Sequence, residues 1–436
     1  MPKEKIRTFR RGIHPLSHKA QTENESLREL STPELLNINV AQHLGAPAVP
    51  TVKEGDRVAE GTLIAEANGF VSANVHSSVS GTVKKIVSFP GANGLLAKHI
   101  VIENDGLYEN ELMPALENPT KEDIIARIKA AGIVGMGGAT FPAHVKLAPK
   151  NPIDTVLINA AECEPYITCD YRLLLDYPGD FLNGAELLRQ AADAKTVLIC
   201  IEVNKPAAVK KISGLLQTDD IKVVPLKVKY PQGAEKQLIY AATRRRVPCG
   251  GLPADVGVMV FNAHTAYSAA RAVYNGEACT RRIMTVAGGG IEKAGNYWVR
   301  IGVPYQHIFD ELHGGCDISS VAKVLSGGPM MGIAQPNLKA SVTKGSSALL
   351  FLTEKQTERA KMTACINCAC CATGCPMNLM PMKFEAAAKS GDFALAKRLG
   401  VMNCLECGVC TYNCPAKRPL IQSIRLAKKT IREKKL

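Results

Sequence analysis

The 436-residue sequence predicts a multidomain chain that runs from β to α/β to β and closes with a helical, cysteine-rich unit. Three observations carry this prediction. Short β-branched runs cut by Gly-Asp and Glu-Gly turns fill residues 36–115. Strand-like and helix-like stretches alternate over residues 116–275. Nine of the fifteen cysteines fall between Cys365 and Cys414. A length of ~150 residues per domain gives about three domains. The 46% apolar and 21% charged content is that of a folded globular chain. No apolar stretch reaches ~18 residues, so no membrane-spanning helix is expected. The opening MPKEKIRTFRRGIHPLSHK has basic residues but no apolar core after them, so it does not read as a secretory signal. Without an oxidising compartment, so many cysteines point to metal or redox chemistry rather than disulfides.

The net charge is +13, and the last 21 residues hold eight Lys/Arg against one Glu. An excess this local argues for a docking surface and against a nucleic-acid-binding domain.

The elements follow in order. Residues 1–35 are polar and read as an arm. Over residues 36–115, VKEGDRVAEGTLIAE and FVSANVHSSVSGTVKKIV resemble the barrel-sandwich hybrid of biotinyl and lipoyl carriers. In those carriers the modified Lys sits on a hairpin tip. Counting back from Ser80-Gly81-Thr82-Val83, the tip falls at about Phe70. No Lys is near, so no swinging arm is expected.

Residues 116–275 open with KEDIIARIKAAG, an amphipathic helix with Ile124, Ile125 and Ile128 on one face and Gly132 at its end. TVLINAAE, KTVLICIEV and IKVVPLKVKY are strand-like runs with helical stretches between them, which predicts a mostly parallel sheet covered on both faces. Residues 276–358 return to β character, and TVAGGGIEKAGNYWVRIG…IFDELHGG resembles a soluble-ligand-binding β-grasp module. Residues 359–436 form the cysteine unit. Its last helix sets Leu420, Ile424, Ala427 and Ile431 on one stripe. That stripe either caps the unit or docks on a membrane partner or an anionic membrane surface.

Two cysteine runs carry the strongest chemical signal. Cys365-x2-Cys368-x2-Cys371-x3-Cys375-Pro376 and Cys404-x2-Cys407-x2-Cys410-x3-Cys414-Pro415 both fit the bacterial two-cluster ferredoxin spacing. Three thiolates on a tight loop hold three corners of a 4Fe–4S cube, and the fourth leaves to ligate the other cluster. The expected sets are Cys365, Cys368, Cys371 and Cys414, and Cys404, Cys407, Cys410 and Cys375. A zinc site needs four ligands, not eight in two complete runs. Cys370 is an additional thiol and is expected to be packed.

The second signal is a Gly-rich loop, Gly132-Ile-Val-Gly135-Met136-Gly137-Gly138-Ala-Thr-Phe141-Pro142, followed by Lys146. Such a loop lets backbone amides approach a phosphate or a flat ring. The third is the strand end Asn159-Ala160-Ala161-Glu162-Cys163-Glu164, placed where α/β sheets bind ligands. The nine histidines show no ligand spacing, and His144 alone lies beside the loop. Cys163 reads as a structural thiol.

Residues 132–146, 159–165 and 257–265 resemble the flavin- and NADH-binding subunit of respiratory complex I. Over essentially the whole chain, the order Arg11-Gly12-Ile13-His14-Pro15, barrel-sandwich hybrid, GIVGMGGATFP, NAAECEPYITCDYR, β-grasp module, SGGPMMG and double cysteine run is similar to the C-subunit family of Rnf-type ion-translocating ferredoxin–NAD oxidoreductases. The resemblance implies FMN contacts at Gly135, Gly137, Gly138, Lys146, Asn159, Glu162 and Asn262. It implies a nicotinamide and ADP side at Phe141, Glu164 and Glu235. Two positions depart from the complex I pattern: Met136 replaces an Arg, and Ala161 replaces an acidic residue. The implied activity is hydride exchange between NAD(H) and FMN, with single electrons passing through two 4Fe–4S clusters and no side chain acting as acid or base. The implied place is the cytoplasmic face of the cell membrane, bound peripherally to other subunits of an electron-transport complex, with ferredoxin as an indirect partner and no nucleic acid. Two other readings stand beside it: a microcompartment cobalamin reductase with the same cofactors, and a flavin-free ferredoxin-like relay. The related sodium-pumping quinone reductase subunit fits less well, having no need of the cluster pair.

Overall fold

The computed structural model describes residues 5–357 and 360–436. The first four residues of the arm, and the expected junction at 358–359, lie outside the described residues.

Four parallel strands organise the α/β region: Thr155–Ala160 (β1), Thr196–Glu202 (β2), Ile221–Leu226 (β3) and Val258–Asn262 (β4). Their order is β3-β2-β1-β4, all parallel. The strands read as continuous apolar runs because helices cover the sheet, and Val156, Leu157 and Ile158 are fully buried. The order turns back between β1 and β4, so the crevice beyond their carboxyl ends is a topological switch point. Asn159 and Asn262 lie side by side in register there.

The expected helix forms as Lys121–Ala130, with Thr120 and Asp123 as a capping box. Ile124 and Ile128 are buried and Ile125 packs against the same core. Helices Pro178–Ala191 and Ala263–Asn275 cross closely: a Cβ at Gly184 would lie 1.7 Å from the Ala266 carbonyl oxygen.

Ahead of this region, a four-stranded antiparallel sheet with strands between Leu35 and Asn104 faces a three-stranded sheet with strands between Val49 and His76. Phe70 sits in the turn between the strands Leu63–Glu66 and Val75–His76 and is 71% exposed, at the tip the pattern predicts. After the α/β region, the strands Arg281–Ala287 and Gly295–Arg300 form a hairpin. The helix Tyr305–Leu312 follows, and the later strand Ala348–Thr353 runs parallel beside Arg281–Ala287.

The arm is bonded down along its length. Arg7 bridges Leu226, Ile13 bridges Tyr230, and Arg28–Glu29 adds a parallel strand beside Tyr297–Trp298. Among residues 5–35 only Phe9, Ile13, Lys19, Thr22 and Leu30 are buried, and most of the others are exposed.

The cysteine region has its own core, built on Phe384, Ala396, Val401 and the helix Leu420–Glu433. Leu420, Ile424, Ala427 and Ile431 all point into it. This decides between the two readings of that stripe: it caps the cysteine unit and is not available to insert into a membrane surface. No helix among the described residues is long and apolar enough to cross a membrane.

The Gly184 crossing makes a prediction. Gly184→Ala forces a methyl into a backbone oxygen, an overpacking cost of about 2–3 kcal/mol. A calorimetric melt of the α/β transition is expected several degrees lower than wild type.

Candidate functional site

The Gly-rich loop is tied at both ends. The Gly135 N–H donates to the Phe141 carbonyl (2.8 Å) and the Thr140 N–H to the Gly135 carbonyl (3.1 Å). The Met136 N–H donates to Thr265 Oγ1 (2.9 Å), which fixes the loop on the start of helix Ala263–Asn275. Met136 is 1% exposed, so its side chain turns inward and offers nothing to a phosphate where the complex I pattern has Arg. The outer face is bare. Gly138 has φ +114° and open space at its Cβ position. Gly137 lies against Asn262, with 3.2 Å from a built Cβ to the Asn262 Cβ.

The strand ends add polar groups. Asn262 Oδ1 caps its helix by accepting from the His264 N–H (2.9 Å), and its Nδ2 donates to Asp170 Oδ2 (2.7 Å). Glu162 Oε1 accepts from the Asp170 N–H (2.7 Å). Glu162 Oε2 is buried and has no hydrogen-bond partner. A contact chain thus runs Glu162–Asp170–Asn262–Gly137. Asn159 Nδ2 donates to the Gly233 carbonyl (2.8 Å). Lys146 Nζ donates to the Val260 carbonyl (2.8 Å) and to Glu235 Oε1 (3.2 Å), so a bound phosphate would share it with Glu235. Phe141 is half-buried where the loop closes.

Glu164 points elsewhere. Its carboxylate accepts from the Met330 N–H (3.1 Å) and lies 3.4 Å from the Tyr230 hydroxyl. Burial pushes its pKa up to about 7. It is therefore engaged with the SGGPMMG segment and Tyr230, a place the resemblance does not imply.

Sequence reasoning missed several groups. Asp170 lies inside the NAAECEPYITCDYR stretch, but eight positions past Glu162 no periodicity marks it. Burial and the Glu162 charge push it up to about 7, against the Asn262 hydrogen bond. Lys19, 5% exposed, donates to the carbonyls of Glu162 (2.9 Å), Glu164 (3.0 Å) and Ile167, which shapes the turn after β1. Arg282 is fully buried and holds the Met136 carbonyl (3.2 Å). Lys344, also fully buried, holds the Gly132 carbonyl (2.6 Å). Burial and nearby Lys129 and His43 lower His144 to about 4. Burial and the Glu202 charge push Cys163 up to about 12, so it is an unreactive thiol at neutral pH.

The cysteines surround two cavities. One is lined by Cys375, Cys404, Cys407 and Cys410. The other is lined by Cys365, Cys368, Cys371 and Cys414. Cys370 lines neither. The two runs share one backbone pattern: the third and fifth positions, Asn367 and Ala369 in one, Glu406 and Gly408 in the other, all have positive φ. Left-handed residues in such a loop turn N–H groups inward. The Glu406 N–H donates to Cys404 Sγ (3.3 Å) and the Leu379 N–H to Cys375 Sγ (3.4 Å). Among the described residues, no three His, Cys, Asp or Glu converge on a single ion position.

A glycine loop packed against strand ends at a switch point is the arrangement of a nucleotide-binding α/β fold. Residues 128–271 match the Nuo51 FMN-binding domain family, and residues 7–107 match the RnfC barrel sandwich hybrid domain family. The C subunit of the proton-translocating ferredoxin:NAD(+) oxidoreductase complex of Clostridium ljungdahlii is 41% identical over 97% of this chain and 94% of its own length. The C subunit of the Na(+)-translocating ferredoxin:NAD(+) oxidoreductase complex of Acetobacterium woodii is 41% identical over 97% of both chains. The solved NAD+-reducing [NiFe]-hydrogenase in the H2-reduced state aligns with a TM-score of 0.49 at 18% identity, over 70% of this chain and 62% of the hydrogenase chain. The chain belongs to the family of C subunits of ion-translocating ferredoxin:NAD(+) oxidoreductase complexes.

The buried acid predicts a pH dependence. Asp170 has a folded pKa near 7, above its unfolded value, so ionising it opposes folding. Its contribution declines as pH rises from about 4 to about 7. Thermal melts between pH 5 and 8 are expected to show that decline in wild type. The slope flattens in Asp170→Asn, which keeps an acceptor for Asn262.

Proposed function

We propose that this chain exchanges a hydride between NAD(H) and FMN and relays single electrons through two 4Fe–4S clusters. Family membership makes it an oxidoreductase subunit that works beside other subunits of a membrane ion-translocating complex. Its proposed place is peripheral, on the cytoplasmic face, with ferredoxin as an indirect electron source. The division at residues 35, 115, 275 and 358 belongs to this reading, as do a β-grasp module and a two-cluster ferredoxin-like unit. A central strand, Ala348–Thr353, paired parallel to the module's first strand with a helix between the two hairpins supports the β-grasp assignment.

The residues present fit a flavin. Glu162 Oε2 is a buried acceptor without a partner, and the bare face over Gly138 admits a flat ring. Gly135, Gly137 and Gly138 would line its phosphate or ring side, with Asn159, Glu162 and Asn262 as polar contacts and Lys146 as a cation beside them. Bound FMN supplies the conversion between two-electron hydride and one-electron chemistry. Phe141, at the loop's end, and Glu235, beside Lys146, would bound the nicotinamide nucleotide. Glu164 supports the site from behind through Met330 and Tyr230 rather than touching that nucleotide.

The cysteines fit clusters better than zinc. A single zinc ion draws four thiolates to ~2.3 Å, which brings them together at one point. Here the eight cysteines divide into two sets of four, each lining a cavity of its own among apolar side chains. The observation that carries the whole reading is the junction between the two sites. Tyr230 follows β3 at the strand ends, and its hydroxyl donates to the Cys407 carbonyl (2.7 Å). The cluster held by Cys375, Cys404, Cys407 and Cys410 would therefore be the one nearer the flavin. The set with Cys365, Cys368, Cys371 and Cys414 would lie farther out, with Cys365 and Cys368 exposed.

Anaerobic purification tests this directly. About eight iron, about eight sulfide and one FMN per chain are expected, with a spectrum bleached by NADH. Zinc in place of iron, or clusters without flavin even after FMN is added back, would reject it. Cys407→Ser is expected to lower iron to about four per chain while the flavin stays bound, measured by metal analysis and flavin fluorescence.

A further inference from the structure

The formal charge draws attention to the C-terminal tail, but the structure spends much of that charge internally. Arg418 pairs with Glu385 (2.7 Å), and Arg425 and Lys428 both pair with Glu406 (3.3 and 2.5 Å). Unspent positive charge gathers elsewhere. The strap 7–13 runs along the end of β3 and onto the first cysteine run. Arg7 bridges Leu226, and the Lys227 N–H donates to the Arg7 carbonyl (2.9 Å). Phe9 and Ile13 are buried anchors, and Lys229 folds over the Phe9 ring at 4.5 Å. Arg244 Nη1 donates to the Thr8 carbonyl (2.9 Å), which brings the 244–246 turn against the strap. Arg244 and Arg246 flank the Tyr240 ring at 5.3 and 5.4 Å. At the other end, Arg11 Nη1 donates to the Ala372 carbonyl (2.8 Å), between Cys371 and Cys375.

These contacts set the segments that carry Arg7, Arg10, Arg11, Lys227, Arg244 and Arg246 side by side. Among the described residues, none of the six pairs with a carboxylate. Arg10, Arg11, Lys227, Arg244 and Arg246 are exposed. Crowding of like charge without counter-ions costs stability, which a complementary surface would relieve.

We propose that this face is the docking surface for an acidic protein face on another subunit of the complex, an inference that rests on the membrane-complex reading above. Chemistry favours protein carboxylates over lipid. Five of the six cations are Arg, whose planar fork pairs bidentately with carboxylates and which is enriched at protein interfaces where Lys is depleted. A lipid-binding element of this size would place its cations on an amphipathic helix with a free apolar face. Here the cations sit on an extended strap and a turn, and the apolar face of the basic tail helix is buried in the cysteine core. The strap ends between two cysteines of the first run, so a partner seated on it would lie beside the outer cluster set.

The test uses the whole complex, with this chain tagged and expressed with its neighbouring subunits. Washed membranes are extracted at rising NaCl, and release of the chain is measured beside flotation of the purified chain on neutral vesicles and on vesicles rich in phosphatidylglycerol. Two charge reversals, R10E/K227E and R244E/R246E, are compared with wild type and with R244K/R246K, and iron and flavin content report folding. Arg10 and Lys227 make no side-chain bond in the described residues, so R10E/K227E is the variant least able to perturb the fold. The expected result is release of both reversals at about fivefold lower salt than wild type, an intermediate value for the Lys variant, and no flotation on either vesicle. Release of R10E/K227E at the wild-type salt would overturn the docking face. Flotation of wild type on the anionic vesicles, abolished by the reversals, would replace the protein partner by lipid. A wild-type chain never retained on the membranes would reject the membrane-complex reading itself.

Discussion

The hydroxyl of Tyr230, donating to the Cys407 carbonyl at 2.7 Å, holds the α/β region against the second cysteine run, and much of the remaining architecture serves that contact. Three segments from distant parts of the sequence meet there. Ile13 pairs with Tyr230 from the arm, Met330 packs beside it from the SGGPMMG segment, and Val409 reaches it from the cysteine unit. Close approach is needed on every side. A Cβ at Gly12 would sit 2.5 Å from the Tyr230 carbonyl oxygen, and one at Gly408 would sit 2.7 Å from the Met330 carbonyl oxygen. The glycines in Arg11-Gly12-Ile13 and Cys407-Gly408-Val409 are therefore interface residues. The electron relay proposed above would cross this seam.

The seam is supported by buried charge. Lys19 and the pair Lys205–Glu202 (3.3 Å) lie behind the turn after β1 with almost no exposure. Burial lowers Lys19, while the Glu162 charge raises it. Cations this deep are retained only if they are satisfied, and Lys19 spends its donors on three backbone carbonyls. The result fixes the path of residues 162–167. Glu162 then faces Asp170 while Glu164 faces Tyr230, so two acids two positions apart serve opposite sides of one turn. A polar strand end needs a scaffold of opposite charge to hold such a shape, and the arm supplies it.

Much of the fold is legible in the sequence. The cysteine spacing, the β-branched strands and the helix over 121–130 all come from local rules, where period, capping and ligand geometry act within a dozen residues. The paired asparagines of the switch point are also legible, because Asn159 and Asn262 end strands of matching apolar pattern. What escapes is non-local. Lys19 and Glu162 are 143 positions apart, and Arg282 reaches the Met136 carbonyl across 146. Asp170 looks like an ordinary first-turn acid of a helix until burial brings it beside Glu162. The arm's polarity gives no sign of its backbone pairing or of the buried Lys19, because composition records neither.

The same limit explains the basic tail. Counting charges along the sequence weights every Lys and Arg equally, yet their partners decide what they present. Glu385 and Glu406 each hold two cations, and Lys428 also donates to the Cys404 carbonyl (2.9 Å), so these charges brace the cysteine unit. Removing the helix would therefore damage the second cysteine run before it altered any outer surface. The strap and the 244–246 turn have the opposite arrangement. Their backbones are bonded and Arg11 and Arg244 spend one nitrogen each on a backbone carbonyl, yet neither these two nor Arg10 and Arg246 meet a carboxylate among the described residues. Two segments more than 200 positions apart supply these cations, which is why the face exists only in the folded chain.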